Sequence, residues 1–336
     1  MTELTIRPIT GAGELPLFNS LPYVLNDEID ADLAAGRRRL PWLWVALRGD
    51  RVVARAAWWA LPGDGRPQLM DIFDIAEDVE DGVRLLAAAL PVMAPDGAAP
   101  PESVRFVPPD WRDNPRTRQV VDNHMAALER TGAKLFVERL RMNWLPGTPI
   151  PEPTGRLTFR PVFGANKPAG ANKPAGANKP TRANKPAGAN KPAGADELID
   201  LMTLALEGSL DAHSRDELTR MTARESAVAQ YHDELERYTS PHDWWQIATL
   251  PDGEPVGFVI PARNSYNPII AYLGVVPAHR GKGYIDEILA AGTRLLAGQD
   301  VPRIRAATDV GNVPMAKAFA RAGYVTFERQ IDMVWQ

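Results

Sequence analysis

The chain has 336 residues and no cysteine. This absence excludes disulfide bonds, thiol nucleophiles and cysteine-ligated metal sites. No apolar run approaches the roughly 18 residues that are needed to span a bilayer. The opening residues MTELTIRPIT also contain no apolar signal-peptide core. We therefore expect no membrane partner and a cytoplasmic location.

Two common nucleotide-binding motifs are absent as well. The sequence has no G-K-[ST] and no G-x-G-x-x-G that is followed by an acidic residue. The formal net charge of −4 argues against a general nucleic-acid-binding role. What remains is the composition of an ordinary globular protein, 45% hydrophobic and 24% charged, with enough residues for two domains.

A six-residue unit, ANKPAG, is repeated five times over residues 165–194, and its third copy ends in T-R. The unit has no large apolar side chain, so burial cannot offset the entropy of ordering it. Its prolines favour extended conformers over helix. We predict a disordered insert within a domain. It is either a tolerated expansion of a surface loop, which we favour, or a basic tether for an acidic partner or a nucleic acid.

The most informative stretch covers residues 271–285 and reads AYLGVVPAHRGKGYI. An apolar, β-branched run ends at Pro277, and an Ala- and Leu-rich segment follows from residue 284. Strand, glycine-rich turn and helix together present backbone N–H groups and a helix N-terminus to an anion. Two glycines let the backbone approach a ligand closely, while Arg280 and Lys282 add positive charge. The pattern predicts a site for a phosphorylated cofactor.

Hydrophobic periodicity over residues 156–336 predicts the order β-α-α-β-β-β-α-β-α-β. The predicted strands cover residues 157–162, 244–250, 256–261, 269–276, 304–308 and 324–335. The predicted helices cover residues 197–207, 215–238, 284–297 and 312–322, and the second of these is either continuous or broken. A proline- and glycine-rich linker over residues 146–155 precedes this domain.

This order of elements, with VVPAHRGKGYI and with N-V-P-M at 312–315 leading to A-G-Y at 322–324, resembles the GNAT acetyltransferase superfamily. The resemblance covers residues 156–336. It implies an α/β fold with a mixed (α+β) sheet, in which acetyl-CoA lies in a splay between the fourth and fifth strands. Acetyl-CoA is therefore the expected co-substrate.

The resemblance also implies which residues hold the cofactor. The fourth strand would grip the acetyl and pantetheine groups, the glycine-rich loop the pyrophosphate, and Asn312 the pantetheine arm. The cofactor-binding residues so implied are Leu273, Val275, Val276, Arg280, Gly281, Lys282, Gly283, Tyr284, Ile285, Asn312 and Phe319. Phe319 departs from the family, because many members have a tyrosine there that protonates the leaving thiolate. We expect Phe319 to pack in the cofactor channel.

No general base is evident on the fourth strand, which is apolar apart from Tyr272. In the family that this sequence resembles, the connection between the first two helices usually lines the acceptor site. Asp211 and His213 of that connection are therefore candidate catalytic residues. Asp309, which follows the fifth strand, is a third candidate. No metal site is expected.

Residues 1–145 show a similar order of elements and are interpreted as a degenerate GNAT-like domain. The chain is then predicted to hold two GNAT-like acyl-CoA acyltransferase domains in tandem. Where the phosphate loop should fall, residues 76–81 read AEDVED and carry four acids. Negative charge there would repel a pyrophosphate. We expect this domain to be non-catalytic, with residues 16–36 mostly helical.

The sequence thus predicts an enzyme that transfers an acetyl group from acetyl-CoA to a primary amine of a small molecule or peptide. The alternative is a non-catalytic acyl-CoA-binding sensor or scaffold, because Phe319 and the unassigned base leave proton transfer open. No nucleic-acid partner is expected, and a homodimer is left open.

Overall fold

A computed structural model describes residues 3–163 and 194–335 of the chain. The chain divides into two compact units, Met1–Leu140 with Phe327–Gln336 and Arg141–Thr326. The predicted disordered repeat, except for its last residue, lies outside the described residues. Within the described ranges, no helix is both long enough and apolar enough to cross a membrane.

The first unit combines a mixed sheet with four helices. Its first strands are β1 (Leu4–Pro8), β2 (Leu43–Arg48), β3 (Arg51–Trp59), β4 (Leu69–Ile75), β5 (Glu102–Val107) and β6 (Ala133–Trp144). Its helices are α1 (Leu15–Phe18), α2 (Ile29–Ala34), α3 (Val79–Met93) and α4 (Pro115–Arg130). Strands β1 to β4 form an antiparallel meander, and β5 then pairs in parallel with β4.

The second unit repeats this plan. Its strands are β7 (Thr158–Pro161), β8 (Gln246–Thr249), β9 (Pro255–Arg263), β10 (Pro268–Val275) and β11 (Ile304–Asp309). Its helices are α5 (Ala195–Leu206), α6 (Ala212–Glu217), α7 (Ala223–Asp233), α8 (Tyr284–Ala297) and α9 (Val313–Arg321). The sheet order is β11-β10-β9-β8-β7, antiparallel except for the parallel pair β10 and β11.

The last strand, β12 (Val325–Trp335), pairs antiparallel with β5 of the first unit, and Ile331 lies opposite Arg105. From Phe327 onward its residues belong to that first unit. The sequence predicts this strand as the end of a second domain at 156–336, so the structure differs here. Alternation of apolar residues identifies a strand but not the strand that it pairs with, which tertiary contacts decide.

Helix α8 is positioned by the core of the second unit. Strand β9 is buried along residues 256–262, and the apolar face of α8 packs on it through Ile288, Leu289 and Leu296. Gly292 permits this close approach, because a Cβ there would lie 2.6 Å from the side chain of Val259. The helix is therefore held with its N-terminus just after β10.

The helix predicted over residues 215–238 is two helices, α6 and α7. Thr222 ends the intervening turn and begins α7 with a capping box, in which its side chain and that of Glu225 each bond the other's backbone N–H. Such a box satisfies two of the N–H groups that a helix start leaves open. The break therefore has a local cause that apolar periodicity does not reveal.

Residues 16–36, predicted to be mostly helical, form short helices with a break between them: α1 ends at Phe18, and a 3-10 turn over Asn26–Glu28 leads into α2. The Asn26 side chain donates to the carbonyls of Asn19 and Leu21, at 3.3 and 3.0 Å. Its amide oxygen accepts a bond from buried Arg55 at 2.7 Å. Side-chain bonds of this kind compete with helix for the backbone groups.

Candidate functional site

The sheet of the second unit opens along β10. This strand bulges at Ala271, where its register with β9 shifts. On its other side, the described register pair with β11 is Ile269 opposite Arg305. In the described part of the chain, no register pair between these two strands follows that one. An unpaired strand edge exposes backbone N–H and C=O groups, which an extended ligand can bind.

The loop after β10, here called the phosphate loop (residues 277–283), leads directly into α8. Gly281 and Gly283 adopt φ values of 75° and 78°, a left-handed region that favours glycine. Gly283 is the N-cap of α8 and has no side chain to bond the first N–H groups. The N–H of Asp286 donates to the Gly283 carbonyl at 3.2 Å, and the N–H groups before it, at the start of α8, are suited to an anion. The predicted strand, turn and helix are confirmed.

Arg280 braces the phosphate loop from within. Its guanidinium donates to the carbonyls of Val275 (3.0 Å), Glu207 (2.6 Å) and Ala205 (2.8 Å). The last two lie at the C-terminus of α5, where a positive charge is favourable. The Arg280 side chain, which is predicted to add positive charge to the loop, therefore also fastens the loop to α5.

Val276 also has a structural bond, because its N–H donates to the carbonyl of Val256 at 2.9 Å. That amide is not available for the cofactor contact implied by resemblance. Leu273 and Val275 stand half-buried on β10, while Tyr284 and Ile285 open α8.

Lys282 of the loop contacts the buried side chain of His279. The Lys282 ammonium lies 3.4 Å from His279 Nδ1, and His279 Nε2 lies 3.0 Å from the Glu254 carboxylate. An ammonium group can only donate, so Nδ1 accepts and Nε2–H donates to Glu254. Lys282 thus places an ammonium group at the loop, next to the His279–Glu254 pair.

Asn312 and Phe319 lie on α9, and both have structural roles. Asn312 caps the helix by accepting the N–H of Met315 at 3.4 Å. The Phe319 ring is 1% exposed and packs edge-on against Tyr324, with centroids 5.1 Å apart. This exposure leaves almost no surface for the cofactor channel that the sequence suggests for Phe319. Its ring belongs to the core.

The three predicted catalytic residues meet at the start of α6. Asp309 is 2% exposed and accepts the N–H of Ala212 at 2.6 Å. Asp211 caps the same helix and accepts bonds from the N–H and hydroxyl of Ser214, at 2.9 and 3.0 Å. His213 follows on α6 and is half-buried. Both carboxylates therefore also hold α6 in place, and the catalytic role of all three stays a prediction.

Tyr272 is the one ionisable side chain on β10, and the predicted site set does not include it. Its ring packs edge-on against Phe258, with centroids 5.0 Å apart. Burial raises the pKa of the Tyr272 phenol well above its usual value, and the negative charges of Asp211, Glu234 and Glu217 raise it further. Tyr272 therefore keeps its proton at neutral pH. A lone tyrosine in an apolar strand was the sequence signal for it.

The first unit has a matching opening. Strand β4 bulges at Asp71, and its described pairs with β5 end at Met70 opposite Ser103. Here, side chains fill the space between the strands. Buried Arg105 donates to the carbonyl of Phe73 at 2.8 Å, and His124 Nδ1 lies 3.1 Å from the same oxygen.

Further side chains occupy the space between β4 and β5. The Tyr23 hydroxyl accepts the N–H of Phe106 at 2.8 Å, and the Arg105 guanidinium lies 4.2 Å from the centre of the Tyr23 ring. Asp74 accepts from Arg105 at 2.6 Å and from Arg55 at 2.8 Å. Burial alone would raise the pKa of Asp74, but the two guanidinium groups outweigh it and hold that pKa below its usual value.

The N-terminus of α3, the helix that follows β4, is occupied by acidic side chains as well. The Asp78 carboxylate caps α3 by accepting the N–H of Glu80 at 2.9 Å. Asp81 is buried in the first turn and pairs with Arg48. The four acids that replace a phosphate loop in the sequence thus include the helix's own cap. A carboxylate already satisfies an N–H group that an anion would bind.

Residues 199–325 match the model of the acetyltransferase (GNAT) domain. No curated protein sequence matches the chain. The GCN5-related N-acetyltransferase from Sphaerobacter thermophilus is similar at 14% identity and a TM-score of 0.54, covering 98% of this chain and 95% of its own. A glucosamine N-acetyltransferase region of a fungal multi-domain GH3 β-N-acetylglucosaminidase is similar at 14% identity and a TM-score of 0.56, covering 99% of this chain and 38% of its own. These similarities confirm the predicted α/β fold.

Proposed function

Because residues 199–325 match the model of the acetyltransferase (GNAT) domain, we propose that this chain transfers an acetyl group from acetyl-CoA to a primary amine. The observation that carries the proposal is the continuity of β10, the phosphate loop and α8. An open strand edge leads into two left-handed glycines and an uncapped helix N-terminus. The open strand edge suits the extended pantetheine arm, and the glycines with the helix N-terminus suit the pyrophosphate.

In the proposed reaction, the amine nitrogen attacks the thioester carbonyl carbon, the C–N bond forms and the C–S bond breaks. The nitrogen loses one proton, and the departing thiolate takes up one. Backbone N–H groups at the open edge of β10 are suited to stabilise the carbonyl oxygen as its negative charge develops. Tyr272 is the ionisable side chain of β10, the strand that is proposed to hold the thioester, which makes it our candidate donor to the thiolate in place of Phe319.

An amine acceptor fits the charges around Tyr272. Asp211, Glu217 and Glu234 all act on its phenol, and together they form a negative field on that side of β10. A cationic amine would be attracted there, although Arg280 opposes this field in part. Asp211, His213 and Asp309 remain our candidates for the group that accepts the amine proton.

A non-catalytic acyl-CoA sensor is the second candidate. The observation in its favour is the burial of Phe319, since the position of the usual proton donor holds a core side chain. The phosphate loop serves both functions equally. Turnover, rather than binding, therefore separates them.

Thiol release from acetyl-CoA, followed across a panel of primary amines, tests the proposed function. We expect stoichiometric formation of CoA and of the acetylated amine, both identified by mass spectrometry. Release of CoA without an acetylated product would indicate hydrolysis only. Tight CoA binding without turnover on any amine would instead support the sensor.

We also propose that the first unit does not bind acetyl-CoA. Arg105, His124 and Tyr23 already bond the backbone between β4 and β5, and Asp78 caps α3. A cofactor would have to displace buried, charged groups, which costs several kcal/mol.

The expected result is one acetyl-CoA per chain. Calorimetric titration and native mass spectrometry of the full chain measure this ratio directly. The alternative is two sites per chain, one in each unit. A second bound CoA that persists in a variant with a disrupted phosphate loop would contradict this proposal. It would show that the side chains between β4 and β5 do not exclude the cofactor from the first unit.

A further inference from the structure

The segment that precedes β7 lies along α8 in the second unit. Arg294 of α8 donates to the carbonyl of Pro151, and the Thr154 hydroxyl bonds Glu287 at 2.7 Å. Arg156 forms a third bond between this segment and α8, because its Nε donates to Glu287 at 2.7 Å. Residues 151–156, mostly predicted as a linker, therefore contact both the middle and the first turn of α8.

Arg156 reaches the phosphate loop from this segment. Its Nη1 donates to the carbonyl of Lys282 at 3.0 Å, and its guanidinium lies 5.1 Å from the centre of the Tyr284 ring. A Cβ added at Gly283 would lie 3.9 Å from Arg156 Nη2. One guanidinium thus bonds the loop at Lys282, borders the space beside Gly283 and lies over the ring of the first residue of α8.

Glu287 explains why a cation is needed there. Its carboxylate stands in the first turn of α8 and is only 9% exposed, so water screens it weakly. An acid in the first turn stabilises a helix, but it also repels an anion bound at the same N-terminus. Arg156 pairs with this carboxylate through two nitrogen atoms, and its own side chain is 47% exposed.

We propose that Arg156 is a positioning residue for the phosphate loop. It holds the Lys282 carbonyl, which orients the loop, and it neutralises Glu287, which would otherwise repel the pyrophosphate of acetyl-CoA. This inference rests on the proposed function only in its choice of ligand. It gives the segment before β7 a part in cofactor affinity.

Calorimetric titration of the full chain with CoA tests this role. We expect Arg156→Ala to raise the Kd about 10- to 30-fold, since it removes a hydrogen bond and exposes a charge. Adding Glu287→Gln to Arg156→Ala should restore most of that loss. Arg156→Lys keeps the charge but not the forked geometry, so its Kd should lie between those of the wild type and Arg156→Ala. With amine substrate, the KM for acetyl-CoA should rise while kcat stays unchanged.

Arg294→Ala is the matched control, because it releases the same segment from α8 without touching the loop. We expect it to leave the Kd within about twofold, and thermal melting should confirm that all variants are folded. An unchanged Kd for Arg156→Ala, an equal loss in Arg294→Ala, or no recovery with Glu287→Gln would each overturn the role of Arg156. A wild-type chain that binds no CoA would overturn the proposed function itself.

Discussion

Replacing Gly283 by aspartate is expected to abolish CoA binding, whereas asparagine at the same position should retain most of it. Gly283 has a φ of 78°, and nothing lies closer than 3.9 Å to an added Cβ. Asparagine and aspartate have similar size and both tolerate a left-handed backbone. The two variants therefore differ mainly in one negative charge.

That charge would sit at the N-terminus of α8, where the pyrophosphate is proposed to bind. Two charges about 5 Å apart interact with about 3 kcal/mol at an effective dielectric constant of about 20. Even if Arg156 offsets part of this repulsion, a loss of at least about 100-fold in affinity is expected for Gly283→Asp. Calorimetry with CoA measures it. Equal affinities of the two variants would refute the assignment of the phosphate loop.

The site could be predicted from the sequence where its features are local. Apolar strand, R-G-K-G turn and amphipathic helix are consecutive, so the backbone of the phosphate loop follows from residues 271–285. The side chains are less predictable, because their partners are distant in sequence. Arg280 bonds carbonyls of α5 that lie 73 and 75 positions away, and Arg156 reaches Lys282 across 126.

The same distinction applies to the first unit. Its strands and the acids at 76–81 can be identified in the sequence, and they indicate a lost phosphate loop. The filled cleft could not be predicted, because Phe106 meets Tyr23 across 83 positions and His124 meets Phe73 across 51. The assignment of β12 to this unit has the same origin. Periodicity gives the element, while long-range packing selects its partner.

The cluster between β4 and β5 should make the stability of the protein depend on pH through His124. Burial, with help from the positive charge of Arg105, lowers the pKa of His124 to about 3, against about 6.5 in an unfolded chain. Between these values the unfolded chain binds the extra proton, so stability falls as pH falls. From pH 7 to pH 4.5 this one residue should cost roughly 3 kcal/mol.

His124→Asn is expected to remove this slope, because an amide can still donate to the Phe73 carbonyl but does not titrate. The measurement is the free energy of unfolding from urea titrations at several pH values between 7 and 4.5.

Asp71, whose pKa burial raises despite Arg38, contributes to the pH dependence of stability with the opposite sign. Asp71 is present in both the wild type and His124→Asn, so its contribution cancels in the difference between their free energies of unfolding. If the difference between wild type and His124→Asn does not change with pH, His124 is not held neutral between β4 and β5. The filling of that cleft would then need another description.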